Sequence, residues 1–173
     1  MVKHVTVTGW SNSGKTTVLV EVVKRLTDAG INVGIIKHHG HVDDGVDVPG
    51  KDSWKYSHAG ANPVILSSSM QYAIFKSTPQ CEATREELIA EIADEVDMII
   101  VEGFRSEAEG AVEVSRVANG RGLKLNPEER IALITDNEEF AHQVAAEGKP
   151  VFALDDFDGL ARYFAELCDC EFH

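Results

Sequence analysis

Near the start of the chain, Gly9-Trp10-Ser11-Asn12-Ser13-Gly14-Lys15-Thr16 has the residue types and spacing, G-x-x-x-x-G-K-[ST], that holding a polyphosphate requires. Its glycines let the backbone curl so that successive N–H groups point inward at phosphate oxygens. Lys15 is long enough to reach β- and γ-phosphates, and the Thr16 hydroxyl is a hard oxygen ligand for Mg²⁺. A second signature follows in Asp97-Met98-Ile99-Ile100-Val101-Glu102-Gly103, an apolar run closed by a carboxylate. An acid at the C-terminal end of a strand beside a phosphate loop can hold Mg²⁺, directly or through water, and orient an attacking water. Glu102 stands at that end and Asp97 at the other.

Other groups admit two readings each. Asp52 and Asp47 can join the Mg²⁺ shell if the loop after the second strand folds back over the phosphates; Asp52 can equally cap a short helix. Asp136, at a strand end, can accept from the ring N–H and exocyclic amine of guanine, a pair adenine does not offer, or can be a plain helix N-cap. In Lys37-His38-His39-Gly40-His41 the imidazoles can meet one zinc, or can join Lys37 in contacting phosphate or a partner. The tail Cys168-Asp169-Cys170-Glu171-Phe172-His173 reads as a small metal site or as reduced thiols on a frayed terminus. Trp10 is expected to be exposed, lining a ligand or partner surface.

The elements that must position these residues follow from periodicity. His4-Val5-Thr6-Val7-Thr8 is a β-branched strand before the loop, and Leu19, Val22, Val23, Leu26 and Ala29 fall at helical spacing after it, closed by Gly30. The helix N-terminus adds partial positive charge to the anion site. A second strand over 32–37 completes a βαβ unit and implies parallel pairing, and the polar stretch 38–50 is a long loop at the ligand-binding edge of the sheet. Val64-Ile65-Leu66 and Tyr72-Ala73-Ile74-Phe75 form a hairpin, placing an antiparallel strand at the sheet margin. Thr84-Arg85-Glu86-Glu87 is a capping box for a helix burying Leu88, Ile89, Ile92, Ala93 and Val96. Residues 105–127, rich in glycine and charge with a strand-like patch over 111–117, read as an excursion off the core. Strands at 131–134 and 151–154, each followed by a helix, complete the chain.

With 173 residues, 43% hydrophobic and 26% charged, the chain is expected to be one nucleotide-binding domain over residues 1–173. A net charge of −13 argues against nucleic acid or an anionic membrane as partner and leaves phosphate recognition to the backbone and one lysine. The start runs straight into a strand and no apolar run approaches a membrane span, so a cytoplasmic protein is expected. Three cysteines without framework spacing do not suggest a disulfide scaffold.

The chain resembles the molybdopterin-guanine dinucleotide biosynthesis adaptor family, MobB, within the P-loop class that includes signal-recognition-particle and dethiobiotin-synthetase-like proteins. The resemblance rests on residues 9–17, which add Thr17 to the loop, on Ile36-Lys37-His38-His39-Gly40-His41, and on Pro49-Gly50-Lys51-Asp52-Ser53. It rests also on Ala59-Gly60-Ala61, Val101-Glu102-Gly103-Phe104-Arg105 and Glu113-Val114-Ser115-Arg116. The family often has Lys where this chain has Arg105, and the stretch from about residue 118 on is less distinctive. The resemblance implies a three-layer α/β P-loop fold. It also implies a homodimer that binds GTP, hydrolyses it feebly, and assists the nucleotidyltransferase joining GMP to molybdopterin. Residues 9–17 with Asp136 would bind nucleotide; Lys15 and Glu102 would serve catalysis; Thr16, Glu102 and Asp52 would hold Mg²⁺. Two rivals remain at this stage: an ATP-dependent ligase or kinase of the dethiobiotin-synthetase type, and a metallochaperone GTPase using the histidine run. For hydrolysis, Arg105 and Arg116 are the available cis arginines.

Overall fold

The first strand, β1 (Lys3–Thr8), buries its last four residues, and the phosphate-loop pattern begins at the next position. A computed structural model describes residues 2–38, 45–78, 81–104 and 110–173. They divide into two compact units, Met1–His38 with Arg85–His173, and His39–Thr84.

In the larger unit the elements are β1, α1 (Lys15–Asp28), β2 (Val33–Lys37), α3 (Arg85–Ile92), β5 (Met98–Glu102), β6 (Ala111–Ser115), β7 (Arg130–Thr135), α4 (Glu138–Ala146), β8 (Val151–Phe152) and α5 (Phe157–Leu167). Among the described residues its sheet runs β2-β5-β1-β6-β7-β8, with every neighbouring pair parallel. Parallel sheets are covered on both faces, and β5 shows this by alternation. Met98 and Ile100 join Val5, Val7, Val22, Leu26, Leu160 and Phe164 under α1 and α5, whereas Ile99 and Val101 join Ile36, Phe104 and the α3 residues Leu88, Ile89 and Ile92. Helices, sheet and helix make the three layers expected.

The segment expected to be an excursion instead supplies β6, an inner strand between β1 and β7 with all five residues buried. Its charged residue Glu113 is fully buried because Arg130 of β7 meets it: Arg130 Nε donates to Glu113 Oε2 at 2.9 Å, and both side chains are at most 1% exposed. The chain end also differs from a frayed terminus. Cys168 is buried in the main core, and burial pushes its thiol up to about 11. The last strand is shorter than 151–154, since only Val151 and Phe152 pair with β7.

The smaller unit contains α2 (Asp52–His58) and the antiparallel pair β3 (Val64–Ser67) and β4 (Tyr72–Phe75), in register Val64 to Phe75 through Ser67 to Tyr72. The hairpin forms as expected but as a sheet of its own, not as a margin strand of the parallel sheet. Ile65, Leu66, Tyr72 and Ile74 are each more than half exposed.

Candidate functional site

β1 sits between β5 and β6, so the loop leaving its C-terminal end lies at the edge where open parallel sheets bind ligands. The turn from strand to helix is forced by glycine. A Cβ at Gly9 would come within 2.3 Å of the Val114 carbonyl oxygen and 2.8 Å of Ser13 Oγ, and Gly14, the N-cap of α1, has φ 89°. Asn12 also adopts a positive φ, 63°, which asparagine tolerates better than most residues. The first turn of α1 carries no acidic side chain, so its partial positive charge is left for an anion. Ser13 Oγ is buried without a hydrogen-bond partner among the described residues.

Lys15 arches back over the loop, donating from Nζ to the carbonyls of Trp10 at 2.9 Å and Gly9 at 3.2 Å. Burial lowers its pKa below the usual lysine range; nearby Glu102 pulls it up and Lys37 pushes it further down. The register β2-β5-β1 places Lys37, Glu102 and Val7 side by side at the strand ends. Thr16 Oγ1 donates to Glu102, with 3.2 Å to Oε1 and 3.4 Å to Oε2. Lys37 Nζ lies 3.2 Å from Thr16 Oγ1 and 3.4 Å from Glu102 Oε2. This donor set suits Mg²⁺, which takes hard oxygen ligands at about 2.0–2.1 Å in octahedral geometry, so neighbouring ligands stand about 2.9 Å apart. The Thr16–Glu102 separation is close to that edge, and the pair could hold the ion with a polyphosphate completing the shell.

The outer face of the loop is tied to a segment that sequence reading left without a role. Beyond β6, a short 3₁₀ turn (Val117–Asn119) leads past Arg121 and Lys124 into Leu125. Asn119 Nδ2 donates to the Ser11 carbonyl at 3.0 Å, Trp10 Nε1 donates to the Gly122 carbonyl at 2.8 Å, and Lys124 Nζ donates to the Gly9 carbonyl at 3.0 Å. Arg121 and Lys124 lie over the Trp10 ring, 4.9 and 5.6 Å from its centroid. Trp10 therefore faces its own chain. Beneath, Glu113 accepts from the backbone N–H groups of Lys124 at 2.5 Å and Leu125 at 3.2 Å, anchoring the segment to the sheet. The pair of a buried acid on one strand with Arg130 on the next was the only sequence signal for this anchor.

Asp136 follows β7 but is not the cap of α4. Asn137 is, its side chain accepting from Phe140 N at 3.1 Å. Asp136 instead accepts from Val117 N at 2.7 Å and has Arg116 Nε 3.9 Å from its other oxygen. Arg116 also borders the phosphate loop, since a side chain at Gly14 would meet its guanidinium at 3.9 Å. Asp52 and Asp47 belong to the other unit. Asp52 opens α2 without capping it, the N-cap being Lys51, and pairs with Lys55 at 3.2 Å. Asp47 accepts from Ser53 Oγ at 3.1 Å and Val48 N at 2.8 Å. His38 continues β2, its N–H bonded to the Glu102 carbonyl and its ring against Phe104. His39, His41 and Arg105 lie outside the described residues. Among the described residues no three His, Cys, Asp or Glu groups gather to hold a metal, and in the tail Cys168 is buried while His173 pairs with Glu171. Nor is any described helix long and apolar enough to cross a membrane.

A parallel sheet, a glycine loop turning into a helix at its central strand, and an acid on the adjoining strand facing the loop threonine define an α/β protein of the P-loop class. Within that class the comparisons are specific. The family model described as "Molybdopterin guanine dinucleotide synthesis protein B" matches residues 4–136. The chain belongs to that family, MobB. It is 35% identical over 167 residues to the molybdopterin-guanine dinucleotide biosynthesis adapter protein of Escherichia coli K12, covering 91% of this chain and 88% of that one. It is 39% identical to the Haemophilus influenzae adapter protein over 103 residues, 58% of this chain and 56% of that one. The crystal structure of Bacillus subtilis MobB superposes with a TM-score of 0.74 at 26% identity, covering 98% of this chain and 99% of that one.

Proposed function

We propose that the protein is an adapter of molybdopterin-guanine dinucleotide synthesis that binds GTP with Mg²⁺, hydrolyses it weakly, and assists the nucleotidyltransferase attaching GMP to molybdopterin. The observation that carries the nucleotide part is the Thr16–Glu102 contact at the mouth of a glycine loop, which brings two oxygen donors together beside Lys15. In this reading the N–H groups over residues 9–17 and the Lys15 ammonium bind the phosphates, and Thr16 and Glu102 hold the metal. The bound ion would neutralise charge on the phosphate oxygens. Glu102, almost buried, keeps its carboxylate aimed at Thr16 and can orient a water. Asp136 would read guanine only by releasing Val117 N or by using its freer oxygen. The adapter role is supported by the names of the relatives, and the homodimer by the family resemblance.

The test is calorimetric titration with GTP and with ATP, each with and without Mg²⁺, using Lys15→Ala as control. Mg²⁺-dependent preference for GTP, lost in Lys15→Ala, is the expected result. Unchanged affinity in that variant would remove the loop from nucleotide binding. A preference for ATP would favour an ATP-dependent enzyme over the adapter.

A further inference from the structure

Lys37 reaches from the end of β2 to the same oxygens that suit the metal. Its ammonium lies 3.2 Å from Thr16 Oγ1 and 3.4 Å from Glu102 Oε2, while Thr16 itself donates to Glu102. One hydroxyl and one carboxylate thus face the ammonium at the place that would take the metal. An ammonium at this distance from a carboxylate oxygen occupies the space a divalent ion would need, and the two positive charges repel. The two side chains differ in freedom: that of Glu102 is 10% exposed and that of Lys37 is 51% exposed. The carboxylate is the fixed member and the four-carbon lysine stem the movable one.

We propose that Lys37 is a built-in counter-cation of the site, and that Mg²⁺ enters by displacing its ammonium from Glu102 and Thr16. Lys37 then sets the Mg²⁺ concentration at which nucleotide is held. This rests on the GTP·Mg²⁺ reading and assigns a regulator to that site. Glu102 also acts electrostatically on Lys15, so the carboxylate keeps one cationic neighbour when Lys37 leaves. A polyphosphate supplies the negative charge that makes the exchange favourable.

The experiment measures the half-saturating Mg²⁺ concentration at fixed GTP by calorimetry, and Mn²⁺ bound in the same mixtures by electron paramagnetic resonance. It compares the unsubstituted chain with Lys37→Met and Lys37→Arg. Losing one partly exposed ion pair of about 1 kcal/mol predicts a midpoint about fivefold lower in Lys37→Met. Lys37→Arg, which keeps the cation, should move it less. A Lys37→Met midpoint that stays or rises overturns the proposal, as do equal shifts in both variants. If GTP affinity of the unsubstituted chain ignores Mg²⁺, the metal reading itself fails and the proposal falls with it. A normal Mg²⁺ dependence with an unmoved Lys37→Met midpoint overturns the Lys37 assignment alone.

Discussion

Replacing Arg130 with methionine should be among the most damaging single changes in this chain, and it should act on the phosphate loop from beneath. Arg130 Nε donates to Glu113, its Nη2 to the Leu125 carbonyl at 2.6 Å, and its Nη1 reaches Glu147 at 3.4 Å. Methionine fills much of the volume but leaves the fully buried Glu113 carboxylate, among the described residues, with the two backbone N–H groups of Lys124 and Leu125. Removing one partner of a buried pair costs about 3–5 kcal/mol, a large share of a typical domain's roughly 5–15 kcal/mol. With a urea dependence of about 2–3 kcal/mol/M, the unfolding midpoint should fall by about 1–2.5 M. Because Glu113 anchors the segment whose Gly122 and Lys124 hold Trp10 and Gly9, Trp10 fluorescence is the appropriate signal, read in a Trp54→Phe background. The double variant Glu113→Met with Arg130→Met, which leaves no orphaned charge, should recover most of the loss. If the double variant is destabilised by the sum of the two single losses, the uncompensated charge is not the cause and the argument fails.

Glu102→Gln keeps the shape of the side chain but weakens its hold on a divalent ion. Mg²⁺-dependent GTP hydrolysis should drop by about tenfold or more while GTP affinity changes less, and equal hydrolysis rates would take Glu102 out of the mechanism. The Cys168 thiol, pushed from 9.0 to about 11, favours the folded state while it stays protonated. Since the folded value is the raised one, this contribution is complete below pH 9 and is lost as pH rises through 11. It amounts to up to about 2–3 kcal/mol, and Cys168→Ala should flatten the alkaline limb of stability against pH measured by urea unfolding.

The first βαβ unit was legible because local signals agree with one another there: β-branched strand, glycine loop, apolar helix face and a closing glycine all point to one arrangement. Glu102 was legible for the same reason, as an acid ending an uninterrupted apolar strand. β6 was not. Its apolar run is broken by Glu113 and Ser115 and bordered by glycine and charge, and its burial depends on Arg130, seventeen positions away, on a strand whose pairing is non-local. The hairpin followed from two short apolar runs at hairpin spacing, but nothing local to it specifies whether it joins the parallel sheet. Asp136 and Asn137 were separable only by geometry, since either side chain can cap a helix and it is Asn137 that accepts from Phe140 N while Asp136 turns to Val117 N. Lys37 was visible as a charge; its pairing with Thr16 and Glu102 comes from three strand ends brought level by register.

The ties that join the phosphate loop to Asn119, Gly122 and Lys124 bear on the kinetics of the site as well as its shape. Carbonyls of Gly9, Trp10 and Ser11 are already engaged by donors from Lys15, Lys124 and Asn119, which turns the peptide N–H groups the other way. The conformational entropy of the loop is therefore lost when the chain folds, not when an anion arrives. Capture of a phosphate then requires the swing of the Lys15 side chain, and of Lys37 where a metal accompanies it, instead of the ordering of a loop. Encounter with the ligand, not rearrangement of the loop, would set the association rate, and differences in affinity among loop variants should appear as differences in residence time.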